Sequence, residues 1–373
     1  MNIRSPIPVP FLAHPTVCAA GDNYIIITPV KYKALLGVRV GEREYWSSSN
    51  GVKISDTKFH KIAVPARELD SAGEYTMLYR RMIRRRPYFP PTGKQQEYRY
   101  SFSPAPESGA VNIYHIADTH GLNKEPVELA GTHDDIDLLV LNGDIADSSD
   151  TEAMLLNHYI IASGITGGNI PCVISRGNHD LRGRLAERLD RYLPCDGGKF
   201  YYTFRAGCVW GMALSTGEDK PDDHEEYGGT VCCHDYRLDE TRFIREVISR
   251  ADTEYNAPGV KYRLIISHVP FATTDSQPFD IETELFGQWC DMLKENIRPD
   301  LMLCGHVHRN MIIMPGDSLD HKGQPCPVIW SSELDKKEGR YSSSMVRLDG
   351  DSADITFDYT YKPPESHTVK LGE

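Results

Sequence analysis

The sequence predicts an α/β fold built on a parallel sheet and preceded by a small all-β domain. Three observations predict it. After residue 110, five short apolar runs each stop at a chemically active polar residue. Segments with apolar residues at helical spacing stand between those runs. Before residue 108 there are only short β-branched or aromatic runs, divided by Gly, Pro, Ser and Asp. Alternating strands and helices give a layered α/β sheet, whereas closely spaced strands without helices give a sandwich.

Taken in order, residues 24–28, 34–40, 59–64, 75–79 and 98–102 read as the strands of the N-terminal domain, over 1–108. Residues 80–86, Arg-Arg-Met-Ile-Arg-Arg-Arg, form its main basic feature. They read as the solvated end of a strand and its loop, with a surface for an anionic partner as the alternative. Residues 103–109 are a linker by composition, and 109–373 form the second domain. There the run 111–117 leads into Asp118 and His120, and 171–175 leads into Asn178, His179 and Asp180. Likewise 262–267 leads into His268, and 301–304 leads into His306 and His308. The central run, Leu138 to Leu141, is short and bounded by polar residues, as in a strand buried on both faces. It ends at Asn142-Gly143-Asp144, where ligands sit in open parallel sheets. Helices are expected over 151–162, 236–250 and 282–296, and a hairpin turning at Asp349-Gly350. Residues 216–229 form a polar loop longer than a connection requires.

Composition bounds the function. At 373 residues, two domains fit the length. No apolar run approaches the roughly 18–20 residues of a membrane span. The N-terminus lacks the apolar core of a signal peptide. Nine cysteines without CxxC spacing fit a reducing compartment and argue against cysteine-held zinc. A cytoplasmic location and no membrane partner are therefore expected, with export compatible if a leader has been removed. The net charge of −12 is unevenly shared. Residues 1–110 hold 16 Lys+Arg against 9 Asp+Glu, a surplus of +7, which leaves 25 against 44, or −19, for the rest. An acidic body suits multivalent cations and disfavours duplex nucleic acid, and no aromatic-basic stripe for single strands stands out.

The strand-end residues Asp118, His120, Asp144, Asn178, His268, His306 and His308 supply carboxylate, imidazole and amide donors for divalent metals. Seven ligands with one carboxylate shared suffice for two ions, the usual clamp for displacement at phosphorus.

Asp118-x-His120, Gly143-Asp-x-x-Asp147, Gly177-Asn-His-Asp180, His268 and Gly305-His-x-His308 occur in that order. In this the chain resembles the calcineurin-like metallophosphoesterases, over about residues 111–330. The resemblance implies a four-layer α/β/β/α sandwich. It also implies one metal on Asp118, His120, Asp144 and His308 and another on Asp144, Asn178, His268 and His306, with Asp144 as the bridge. His179 would protonate the leaving group as catalytic acid, and Asp147 would orient His179. Mn, Fe, Zn or Co fits this donor mixture, as two divalent or trivalent ions. The expected activity is hydrolysis of a phosphate ester by a metal-bridging hydroxide. A small phosphorylated monoester is favoured over a cyclic-nucleotide or other phosphodiester, or a non-catalytic metal-binding scaffold. Oligomeric state is not legible.

Two departures bear on substrate. Asp147 is followed by Ser148-Ser149, where protein Ser/Thr phosphatases of the family continue with Arg-Gly, so a phosphate-gripping arginine is missing. Arg182 is the candidate replacement, with a structural salt bridge as the alternative. The β-rich N-terminal domain resembles the fibronectin-III-like domain of purple acid phosphatases. Those enzymes carry Tyr in place of Asp147 and a non-His residue in place of His120, so the site differs from theirs. His115 is expected in the core or behind the ligands, His224 and His234 away from them, Arg176 as structural, and Tyr201-Tyr202 in a strand.

Overall fold

The computed structural model describes residues 6–273 and 277–372. The first five residues of the N-terminal stretch tested as a leader lie outside them.

Two sheets pack face to face. The larger runs, in spatial order, through Glu365–Lys370, Ser352–Tyr359, Arg340–Asp349, Val111–Ile116, Leu138–Asn142, Pro171–Ser175, Thr16–Ala20, Asn23–Pro29 and Phe59–Pro65. The second has six strands and carries Tyr262–Ser267 beside Leu301–Cys304, in parallel. Helix Glu152–Thr166 covers the outer face of the first sheet through Leu155, Tyr159 and Ile161. Helices Cys233–Ser249 and Thr283–Met292 cover the second through Ile244, Val247 and Trp289. The result is an α/β/β/α sandwich.

The strand composition explains this layering. In Leu138–Asn142, Leu138 and Val140 face the core between the sheets, while Leu139 and Leu141 face the helix layer. A strand covered on both sides needs apolar residues at every position, which is why its run does not alternate. Between the sheets, Ile113, Val140 and Val173 share a core with Leu264, Ile266 and Leu303. The five strand ends expected on one parallel sheet are thus shared between two, three on the first and two on the second. They still converge, because both sheets present their C-terminal edges on one side.

The N-terminal part is β-rich, and its strands are divided. Ala34–Val40, Arg43–Trp46, Glu74–Arg81 and Gln96–Ser101 form a separate four-stranded sheet. Asn23–Pro29 and Phe59–Pro65 instead extend the large sheet. The link is Thr16–Ala20, which pairs in parallel with Pro171–Ser175 at Val17–Pro171 and Cys18–Cys172. The core between the sheets therefore runs on into Leu36, Val38, Met77 and Tyr79 of the small sheet. The linking strand, Thr-Val-Cys-Ala-Ala, is short and small-residued, and carries almost no propensity signal of its own.

Candidate metal centre

The site is built where backbone geometry is unusual. Among the described residues nine non-glycines have positive φ, and five of them are Asp118, His120, Asp144, His306 and His308. Left-handed backbone at such residues costs on the order of 1–3 kcal/mol each and persists only where surroundings enforce it. The sharp turns it makes aim successive side chains at one point.

Two glycines let these turns meet. A Cβ on Gly143 (φ +78°) would stand 2.6 Å from both Gly177 Cα and His268 Nδ1. A Cβ on Gly177 would stand 2.2 Å from Asp144 Oδ1. The Gly in each motif is thus a packing requirement of the neighbouring motif.

The ligand-type side chains converge. His268 Nε2 lies 3.1 Å from Asp144 Oδ2 and 3.7 Å from Asp118 Oδ1. His308 Nε2 lies 3.4 Å from Asp118 Oδ1 and 3.3 Å from His120 Nε2. His306 Nδ1 lies 3.2 Å from Asn178 Oδ1. Three groups have ligand atoms within 4.8 Å of one another: Asp118, His120 and His308; His120, Asp144 and His179; and Asp144, His268 and His306. Asp118, Asp144, Asn178 and His268 are buried.

Their orientations are fixed from behind. His268 Nδ1 is 2.6 Å from the Asn142 carbonyl, which turns Nε2 toward the carboxylates. Asp118 Oδ2 accepts from the main-chain N–H of His306 and from Ser332 Oγ. Asp144 Oδ1 accepts from the His179 N–H.

One feature shows that this donor set fits a cation. Asp118 Oδ1 is buried with no hydrogen-bond partner, which is costly for a carboxylate oxygen unless a positive charge compensates it. Asn178 Oδ1 faces only acceptors, standing 3.2 Å from Asp144 Oδ2 and from His306 Nδ1. Turning the amide over would satisfy both with N–H groups and offer the oxygen to Arg182. In either orientation the Asn178 amide stands between Asp144 and His306, within the ligand cluster. Electrostatics agree. Burial opposes charging of Asp144, yet His268, His179 and His120 hold its carboxyl well below the usual carboxylate range. Burial likewise opposes protonation of His268, and Asp144 and Asp118 push it up to about 10. Two buried carboxylates draw in positive charge.

The remaining expectations divide. Nδ1 of His179 is 2.9 Å from the main-chain oxygen of Asp147, not from its carboxylate. The Asp147 carboxylate turns instead to Lys336 Nζ, 2.9 Å away, and to His120 Nδ1 at 3.1 Å. Arg182 reaches His179 Nε2 at 3.4 Å, but its guanidinium donates two 2.8 Å hydrogen bonds to buried Glu218 and pairs with Glu226. Arg182 thus forms a salt bridge and also stands at the site. His115 is buried and takes a hydrogen bond from Asn142. His234 pairs with Glu282, and His224 caps a short helical turn. Arg176 stacks on Phe200 and Tyr236, and Tyr202 lies in a strand.

Asp219, Lys336, Ser332 and Glu218 are the site residues that sequence reading missed. Asp219 Oδ2 stands 3.3 Å from His306 Nε2. Burial opposes its ionisation, and the His306 and Lys220 contacts still hold it well below the carboxylate range. The length of the 216–229 loop was the signal, and which of its six acids turned inward was not readable. Beside the site this loop walls a cleft of about 660 Å³ that includes Arg182, Arg184, Tyr227 and Tyr236.

The fold is similar to a solved structure of PhoD, with a TM-score of 0.56, 10% identity, and 98% of this chain and 92% of that one covered. Vacuolar Protein Sorting 29 from Cryptosporidium parvum (TM-score 0.34, 11% identity, 71% and 100% covered) and Vps29 from Chaetomium thermophilum (0.35, 10%, 70% and 100%) are too distant to carry an argument. No curated protein matches the chain. A model of the calcineurin-like phosphoesterases matches residues 111–310, the stretch holding every ligand-type residue above, and the chain belongs to that family.

Proposed function

We propose that this metal-dependent phosphoric ester hydrolase acts on phosphate monoesters of small molecules. In this reading residues 109–373 are the catalytic unit. Asp118, His120, Asp144 and His308 would hold one ion, and Asp144, Asn178, His268 and His306 a second, with Asp144 shared. Two of the three groups of converging ligand atoms, Asp118-His120-His308 and Asp144-His268-His306, support that division. When bound, such ions supply a water acidic enough to react near neutral pH and neutralise charge on the phosphate.

The chain's own residues do the rest. His179 donates its Nδ1–H in a hydrogen bond to the Asp147 carbonyl, so Nε2 faces the site, and in the doubly protonated ring Nε2–H is the acid for the leaving-group oxygen. The 660 Å³ cleft beside His179 takes the organic part of the substrate.

The observation that carries the monoester preference is the Arg182 guanidinium, which reaches the acid while pairing with Glu218 and Glu226. Arg182 NH1 lies 3.4 Å from His179 Nε2. A monoester dianion presents more charge to that mouth than a diester does. The test is turnover of a chromogenic phosphate monoester and the matching diester by metal-stripped protein reconstituted with Mn²⁺, with His179→Ala as control. Faster monoester turnover, lost in the variant, is the expected result. A preference for the diester would overturn the substrate class, and no turnover of either with metal retained would overturn catalysis.

A further inference from the structure

We propose that the loop following strand Glu74–Arg81 docks the protein on the surface of an anionic lipid bilayer. This stands apart from the catalytic reading and uses no residue of the site. Every residue from Ile83 to Pro90 is exposed. Tyr88 is 80% exposed, and Phe89, at 91%, is the most exposed large hydrophobic residue among those described. They sit in Pro87-Tyr-Phe-Pro-Pro91. Ile83 (64%) and Val52 (52%) are exposed beside them. At the base of this loop, where the Ile83 N–H bonds the Pro91 carbonyl, a groove of about 580 Å³ gathers Val52, Lys53, Ile83, Arg84, Arg85 and Lys33. A strand end that is merely solvated accounts for the arginines, but not for this much apolar surface at the same tip.

Charge selects the partner. Arg84, Arg85 and Arg86 lie in the loop itself, and Lys33 and Lys53 line the groove at its base. Asp56, the one acid lining the groove, is paired with Lys33. Arg85 is held to the Lys53 carbonyl, whereas Arg84 and Arg86 make no ion pair among the described residues. The rest of the chain, from residue 111, carries −19. A flat anionic surface would therefore attract this end and repel the body, which fixes the approach tip-first. Aromatic side chains in a basic loop suit the headgroup boundary of a bilayer. The aliphatic Ile83 and Val52 also favour lipid over nucleic acid, because they can enter an acyl boundary and offer no ring for a base to stack on. The contact is peripheral: no helix among the described residues is long and apolar enough to cross a membrane.

The experiment is co-sedimentation of the full chain with vesicles of phosphatidylcholine plus phosphatidylserine, and of phosphatidylcholine alone. It is repeated with Arg84→Gln/Arg86→Gln and with Tyr88→Ser/Phe89→Ser, each checked by its thermal midpoint. The wild type should bind the mixed vesicles, weaken with added salt, and ignore the neutral ones. Each variant should bind about tenfold more weakly with an unchanged midpoint. Absence of sedimentation with the mixed vesicles would overturn the proposal. So would undiminished binding by both variants. Capture by polyuridylate that the mixed vesicles do not compete away would assign the loop to nucleic acid instead.

Discussion

Asp219 Oδ2 stands 3.3 Å from Nε2 of His306, while Nδ1 of the same ring faces Asn178. A carboxylate behind a ligand-type imidazole fixes its tautomer and raises its basicity. Asp219 is itself held by the Tyr227 hydroxyl at 3.0 Å, so the acidic loop supports the centre from outside. Asp219→Asn should lower metal affinity about tenfold to a hundredfold. Metal content after equilibrium dialysis against Mn²⁺ reads this directly, and unchanged content would remove Asp219 from the supporting shell.

His179 and Asp147 should separate in a way the motif alone does not suggest. The contact orienting His179 uses the Asp147 main chain, which survives Asp147→Ala. His179→Ala should cost about a hundredfold to ten-thousandfold, and more for poor leaving groups than for nitrophenol, since a lost acid matters most where the leaving oxygen is basic. Asp147→Ala should keep the wild-type dependence on leaving-group basicity and instead loosen His120 and release Lys336. Rates across a series of aryl and alkyl phosphates decide this. Equal steepening in both variants would return the carboxylate to the role the family pattern implies.

Arg182 is bound to a glutamate whose side chain is fully buried. Arg182→Met leaves the Glu218 charge without its main partner, and should destabilise the fold by about 2–4 kcal/mol in denaturant titration. Arg182→Met combined with Glu218→Leu should recover part of that loss. A double variant weaker than the single would contradict the pairing.

Gly177→Ala should destabilise by about 1–3 kcal/mol, because its Cβ would displace Asp144. Metal retention should fall with it. A variant that keeps both stability and bound metal would show that Asp144 has room to move.

Glu240 offers a pH test away from the ligands. It is fully buried, takes the Ser215 N–H on one oxygen and has no partner for the other. Burial pushes its carboxyl up to about 8, with Arg176 and Arg237 opposing this, and Tyr201 and Tyr236 are its other titratable neighbours. The folded protein then binds a proton that the unfolded chain has released. The linked stability is complete below the ordinary glutamate value of 4.5 and is lost as pH rises through about 8. Glu240→Gln should flatten that decline, and by pH 8 be more stable than wild type by on the order of 1–3 kcal/mol. Parallel stability–pH curves would show that the carboxyl ionises normally.

By itself the sequence located the strands that lead into the site, their order, and the ligand-type residues at their ends. These are local properties: apolar runs report burial on both faces, and each run hands directly to the residue at its end. Leu138–Leu141 leading into Asp144 is the plainest case. Local pattern also located the long helices to within a few residues, with 151–162 found as Glu152–Thr166 capped by Thr151. Only the tertiary structure decided which sheet each strand joined, because Thr16–Ala20 has no distinctive sequence and is fixed by its partner Pro171–Ser175. It alone chose Asp219 among the loop's acids, and placed Arg182 against Glu218. It also decided that Asp147 reaches His179 through its carbonyl. Those choices depend on contacts between segments distant in the chain, and no local period records them.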